Sequence, residues 1–196
     1  YKLAGDSYAK AFTLKSTDAD LAFNGALAYQ NAGELALAEG QWRAALKSKP
    51  NDPDALSSLG SVLADEKKYD EAITVLHQAV DAKTEEKIYF RQLGAVYNKA
   101  NNAAKTTEML TVFMAMDKGK PGEASAAPAG SPADNTRKSL GAPDQVLVWD
   151  AGGAQPYATW IYRKVKKAFT FDTGKGYAII QKSDWSTPVL TAPAKK

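Results

Sequence analysis

Between Asp20 and Pro121 the chain repeats itself every 34 residues with no insertion. Ala22, Ala26, Tyr29, Gly33, Ala38, Trp42, Ala45 and Pro50 make one row. At constant offset the next row reads Leu56, Gly60, Leu63, Lys67, Ala72, Leu76, Ala79 and Thr84. The third reads Phe90, Gly94, Tyr97, Asn101, Thr106, Leu110, Phe113 and Lys118. A period of this size means one helical hairpin per unit, and a hairpin cannot bury its apolar face alone, so successive units must stack. Small residues fall where paired helices approach (Ala26, Gly60, Gly94, then Ala38 and Ala72). Large ones (Trp42, Leu76, Leu110) fall where the next layer must be filled, so all three are expected in equivalent buried positions.

Local signals agree with helices at this spacing. Thr17 or Asp18 is placed to cap a first helix carrying Leu21, Ala22, Gly25, Ala28 and Tyr29 at helical intervals. Asn31-Ala-Gly33 reads as a turn, and Pro50 stops a second helix running from about 35 to 47. Asp52 caps the next helix and Pro53 takes its first position, where a missing N–H is harmless. Thr84 is placed to cap the third unit, with Glu85 and Glu86 in a first turn whose dipole favours acids. Helices are expected near 53–66, 69–82, 85–99 and 103–117. Met109, Met114 and Met116 read as gap-fillers in the last.

With this period and these small and large positions, residues 1–118 resemble a tetratricopeptide-repeat array: a half repeat at 1–16, then repeats at 19–52, 53–86 and 87–120. The fold expected is mostly α, a helical superhelix of seven antiparallel helices followed by a small α+β domain. Stepping back one repeat sets Tyr1, Ala4, Tyr8 and Ala11 on the positions of Tyr69, Ala72, Leu76 and Ala79, so residues 1–15 read as a second helix without its first. Leu3, Tyr8 and Phe12 would then meet residues preceding Tyr1 or another chain.

Residues 119–135 (GKPGEASAAPAGSPADN) break the pattern and read as a linker that separates two domains. The charge changes here too: residues 1–118 hold 14 Lys/Arg and 16 Asp/Glu, leaving 11 and 6 for residues 119–196. Beyond it, Asn135 caps a short helix closed by Gly141. Four strands follow at 146–149, 158–163, 168–172 and 177–181, rich in β-branched and aromatic residues. Glycines at 152–153 and 174–176 supply turns, and residues 163–167 make a basic hairpin connection. Residues 136–182 form this domain and 183–196 a tail, and the domain, or its tail with Trp185, Val189 and Leu190, is expected to cap the last repeat. The order Leu140-Gly141-Ala-Pro143-Asp144, Trp160-Ile-Tyr162-Arg163, Phe169-Thr-Phe171-Asp172 and Gly174-Lys-Gly176-Tyr177 resembles two small envelope-associated domains. One is the GWxTD type, whose own tetrad is absent here; the other is SmpA/OmlA-like (BamE-like). The resemblance implies a periplasmic or envelope-associated location over a cytoplasmic one.

No enzyme can be assembled from these residues. With no cysteine there is no thiol nucleophile and no zinc ribbon. His77 is the sole histidine and has no second ligand at a useful spacing. Asp65-Glu66, Asp70-Glu71 and Glu85-Glu86 sit at helix ends, where capping and solvation account for them. Gly174-Lys175-Gly176 lacks the spacing and following helix of a phosphate loop. No metal site, cofactor or catalytic residue is expected.

The resemblance implies a concave groove lined by the first helix of each repeat. The inward positions are Phe23, Leu27, Gln30 and Asn31, then Ser57, Ser61, Ala64 and Asp65, then Arg91, Ala95, Asn98 and Lys99. The gradient runs from an apolar entrance through a small polar middle to a basic end, and suits a peptide segment or a partner's helix. The positions at which some relatives grip a terminal carboxylate are Phe23, Leu27, Ser58, Ile88 and Gln92 here, without the lysines and asparagines that task needs. The function expected is a non-enzymatic protein–protein interaction scaffold. One alternative is an accessory subunit of a larger envelope assembly, meeting membrane only through a partner. Another is nucleic-acid binding by the C-terminal part, where Trp149, Tyr157, Trp160, Tyr162, Phe169, Phe171 and Tyr177 interleave with Arg163, Lys164, Lys166 and Lys167.

Overall fold

Helix caps set where the first two full repeats begin in the computed structural model, which describes residues 1–150, 152 and 156–186. Asp18 caps α2 by accepting from the N–H of Asp20 and Leu21, and Asp52 caps α4 by accepting from Ala55. The helices are α1 (Lys2–Leu14), α2 (Ala19–Asn31), α3 (Leu35–Ser48), α4 (Pro53–Asp65), α5 (Tyr69–Ala82), α6 (Lys87–Lys99) and α7 (Ala103–Lys118). Thr84 does not cap the third repeat. Its hydroxyl donates back to the Val80 carbonyl, and α6 starts after Glu86 without a side-chain cap. Lys67 and Asn101 take the left-handed turn conformation (φ of 62° and 59°) that Gly33 takes at the same repeat position.

The described residues form two compact units, Tyr1–Asn101 and Asn102–Ser186. In the first, helices pack in chain order, and its core is the row the period predicts: Trp42, Leu76, Leu63, Phe90, Ala26 and Ala38 are all essentially sealed from solvent. Each large side chain so buried contributes about 1.5–3 kcal/mol. Gly60 lets α4 approach α5, since a Cβ there would lie 2.6 Å from Leu76 Cγ. Gly5 does the same for α1 against the Tyr29 ring, whose hydroxyl donates to Asp6 at 2.8 Å.

The second unit begins one helix earlier than the composition suggests. It takes in α7 and a sheet of five antiparallel strands in chain order: β1 (Lys120–Pro121), β2 (Gln145–Trp149), β3 (Tyr157–Tyr162), β4 (Lys167–Asp172) and β5 (Ala178–Asp184). Residues 119–135 are therefore not a plain linker: Lys120 and Pro121 pair with Val148 and Leu147, and Ala127 and Ala133 are buried. Ser131 caps α8 (Pro132–Leu140), which starts earlier than Asn135.

Strand alternation sorts the sheet into two faces. One carries Leu147, Trp149, Thr159, Thr170 and Ser183 and faces α7, where the Ser183 hydroxyl donates to the Glu108 carbonyl at 3.0 Å. The Trp149 indole donates to Thr159 on this face, and Thr159 in turn bonds Thr170 at 2.9 Å. The other carries Ala158, Trp160, Tyr162 and Phe171, covered by Ala127 and Ala133. α7 turns Met109, Val112 and Ala115 inward, and Leu110 is 37% exposed, contrary to the repeat register. Trp185 is fully buried; Val189 and Leu190 lie outside the described residues.

Candidate partner-binding face

The twelve residues expected to line the groove all lie on α2, α4 and α6, and the structure distributes them unevenly. Phe23 is half-buried, with its ring edge-on to Trp42 at a centroid distance of 4.7 Å. Its outer side lines a pocket of about 240 Å³ floored by Ala19, Ala45 and Ala55. One turn on, Leu27 is 43% exposed. Gln30 has a structural partner, accepting from the Trp42 indole at 3.1 Å, whereas Asn31 is exposed at the helix end.

The middle is knit together by polar bonds. Ser57, buried, donates to Gln92 Oε1 at 2.8 Å; Gln92 Nε2 donates to Ser61 Oγ at 3.2 Å; Ser61 donates to the Ser57 carbonyl. Ser61, Gln92, Ala64 and Ala95 line a second pocket, of about 200 Å³, between α4 and α6. At its rim Lys99 Nζ lies 3.1 Å from Asp65, so this cation is neutralised locally. Arg91 and Asn98 are exposed on α6.

Two features of this face were not among the expected residues. Gln92 is the hinge of the polar network. Asp20, Lys49, Asp52 and Asp54 surround the Phe23 pocket, so its apolar entrance has a charged rim. Lys49 Nζ sits 2.8 Å from Asp20, and Asp54 accepts from the Tyr89 hydroxyl at 3.0 Å. Burial, helped by that bond, pushes the Tyr89 phenol well above its ordinary range, so the donor keeps its proton. The signal was available: Asp20 and Asp54 stand one period apart.

Other candidates have structural roles. His77 is buried with its Nε2 2.9 Å from the Tyr97 hydroxyl. Gly174 and Lys175 belong to a short 3-10 turn between β4 and β5, and residues 163–166 form the β3–β4 turn. Trp149, Trp160, Tyr162 and Phe171 are buried, so their ring faces are not offered to bases. Among the described residues no cluster of acidic, His or Cys side chains is placed to hold a metal ion. No helix among them is long and apolar enough to cross a membrane.

Residues 23–86, about a third of the chain, match the model of the tetratricopeptide-repeat family. Solved structures share the fold. MamA residues 41-end from Desulfovibrio magneticus RS-1 superposes with a TM-score of 0.57 at 20% identity, over 60% of this chain and 66% of that one. YrrB, described as a TPR protein with an unusual peptide-binding site, gives 0.51 at 24% identity over 58% and 59%. Pseudomonas aeruginosa PilF gives 0.51 at 23% identity over 68% and 60%. The chain thus spans less than two thirds of the length of each YrrB and PilF structure, and just under that share of MamA. No curated protein matches the chain at a significant level.

Proposed function

We propose that this chain, whose residues 23–86 match the tetratricopeptide-repeat model, acts as a non-enzymatic interaction scaffold, holding a segment of a partner protein across α2, α4 and α6. The observation that carries this reading is the pairing of the Phe23 pocket with Leu27 exposed one turn away. Together they offer two apolar anchor points on a rigid helix, and preorganised anchors keep the ordering cost of binding low. The hydrogen-bonded Ser57–Gln92–Ser61 set supplies polar atoms further along for a partner backbone. The peptide-binding description of YrrB is consistent with such use of this fold.

The test compares proteins retained by the intact chain with those retained by Leu27→Ala and by Phe23→Ala with Leu27→Ala. Leu27 is exposed, so its variant should melt like the wild type. Phe23→Ala also loses its edge contact with Trp42 and should be somewhat less stable. Partners retained by wild type should be lost or depleted with both variants. Unchanged retention by folded variants would move the site elsewhere.

A second reading, a permanent subunit contact, is favoured by Leu3 and Leu14 of α1, which are 82% and 84% exposed. A tagged chain bound in such an assembly should not exchange with added untagged chain over hours. Rapid exchange would rule this out.

A further inference from the structure

We propose that the second unit holds a binding groove of its own, between α8 and the β4–β5 edge, for an extended acidic peptide segment that carries an apolar anchor side chain. The groove has a volume of about 420 Å³, within the usual range for small ligand sites. Its floor is apolar. Phe169 and Ile179 are the partly buried outer layer of the core around Trp160 and Phe171, and Leu140 at the end of α8 is 39% exposed beside them.

The strand register explains why these side chains share a face. Phe169 pairs with Lys182 and Phe171 with Ile179, with an irregularity between Thr170 and Phe171. That shift leaves Ile180 as the extra residue and lets Ile179 and Lys182 line the same side, although they are three apart.

Charge selects the occupant. Lys167 and Lys182 stand at the rim, and no carboxylate lines the groove. Asp184 lies 3.8 Å from Lys167, at the outer limit of an ion pair, and among the described residues no acid is paired with Lys182. The neighbouring cations are already committed. Arg137 and Lys138 both clamp Asp134, which is buried and also accepts from the Gly130 N–H. Lysines of this kind steer and hold carboxylates. The chain's own residues 187–196 contain two lysines and no acid, so they are the wrong charge.

The polar wall decides between a peptide and an acyl chain. Asn135, Thr136 and Ser139 project from one side of α8 along the groove. Thr136 already donates to the Pro132 carbonyl and Asn135 Nδ2 to the Gly130 carbonyl, which leaves Asn135 Oδ1 and the Ser139 hydroxyl to bond a peptide backbone. An acyl chain would cover these two without pairing them and remain open to water on its outer side.

The test titrates the intact nitrogen-labelled chain with a short synthetic peptide in which glutamates alternate with phenylalanine and leucine. A matched peptide with lysines in place of glutamates serves as control. The amides of Ser139, Leu140, Ile179 and Lys182 should shift with the acidic peptide. Lys182→Glu should weaken binding about ten-fold or more, Lys182→Gln by less, and Lys164→Glu in the β3–β4 turn should stay within about two-fold. Equal binding of the lysine peptide, shifts confined to α2–α6, or a response to phosphatidylglycerol vesicles alone would each overturn the proposal.

Discussion

At Gly60 the helix pair leaves no room for even one carbon: the nearest Leu76 atom would be 2.6 Å from an added Cβ. Gly60→Val should therefore destabilise the chain by about 1–3 kcal/mol through overpacking. Thermal unfolding should show a lower midpoint, and an unchanged midpoint would mean that α4 and α5 are further apart than described. Glu39 makes a residue-scale prediction in pH. The Lys68 ammonium at 2.7 Å, followed by Arg43, draws its carboxyl from 4.5 down to about 2. A carboxyl depressed in the folded state stabilises above its unfolded value and loses that contribution as pH falls through its folded one. The window is therefore pH 4.5 to about 2. Glu39→Gln should flatten the acid side of the stability profile there, and denaturant midpoints at several pH values would detect this. Identical profiles would show that the pair contributes nothing.

At the scale of elements, α7 carries the difference between the repeat pattern and the fold. Three-fold repetition identified α2–α6 almost residue for residue, because each position is constrained by two neighbouring units. α7 answers to a sheet instead, so Met109, Val112 and Ala115 turn inward and Leu110 does not. The same non-local packing hid the role of residues 119–135. Ala, Gly and Pro look structureless in isolation, yet Ala127 and Ala133 are buried in one cluster with Trp160 and Phe171. The four longer strands were legible from their β-branched and aromatic residues; β1 is too short to leave a pattern. On the candidate face, Phe23 and Leu27 were readable from repeat position. The Gln92 network was not, since hydrogen bonds between helices 35 residues apart have no local signature. Glu108 ties α7 to β5: its carboxylate accepts from the Asp184 N–H at 3.1 Å and pairs with Lys105 at 2.8 Å. Glu108→Ala should cost about 1–2 kcal/mol in a denaturant titration. No measurable loss would make this contact incidental.

For the whole molecule, the boundary between units falls after Asn101 and not in the Ala/Pro-rich stretch. Limited elastase digestion under native conditions should spare the segment between Lys120 and Arg137, whose alanines would be cut in a free linker, because a paired strand, buried alanines and a capped helix hold it. Early cleavage within the segment would restore the linker reading. Function divides along the same line, with one partner face proposed on the repeats and a separate acidic-peptide groove on the α8–sheet unit. The central claim is that the α2–α4–α6 face meets a partner protein. It is tested most directly by placing a photo-crosslinking amino acid at Leu27 in the intact chain, in its native extract, with Leu37 as control. Both are 43% exposed, but Leu37 lies on α3. The account predicts a discrete crosslinked partner from position 27 and none from position 37. A partner trapped at 37 and absent at 27 would contradict it.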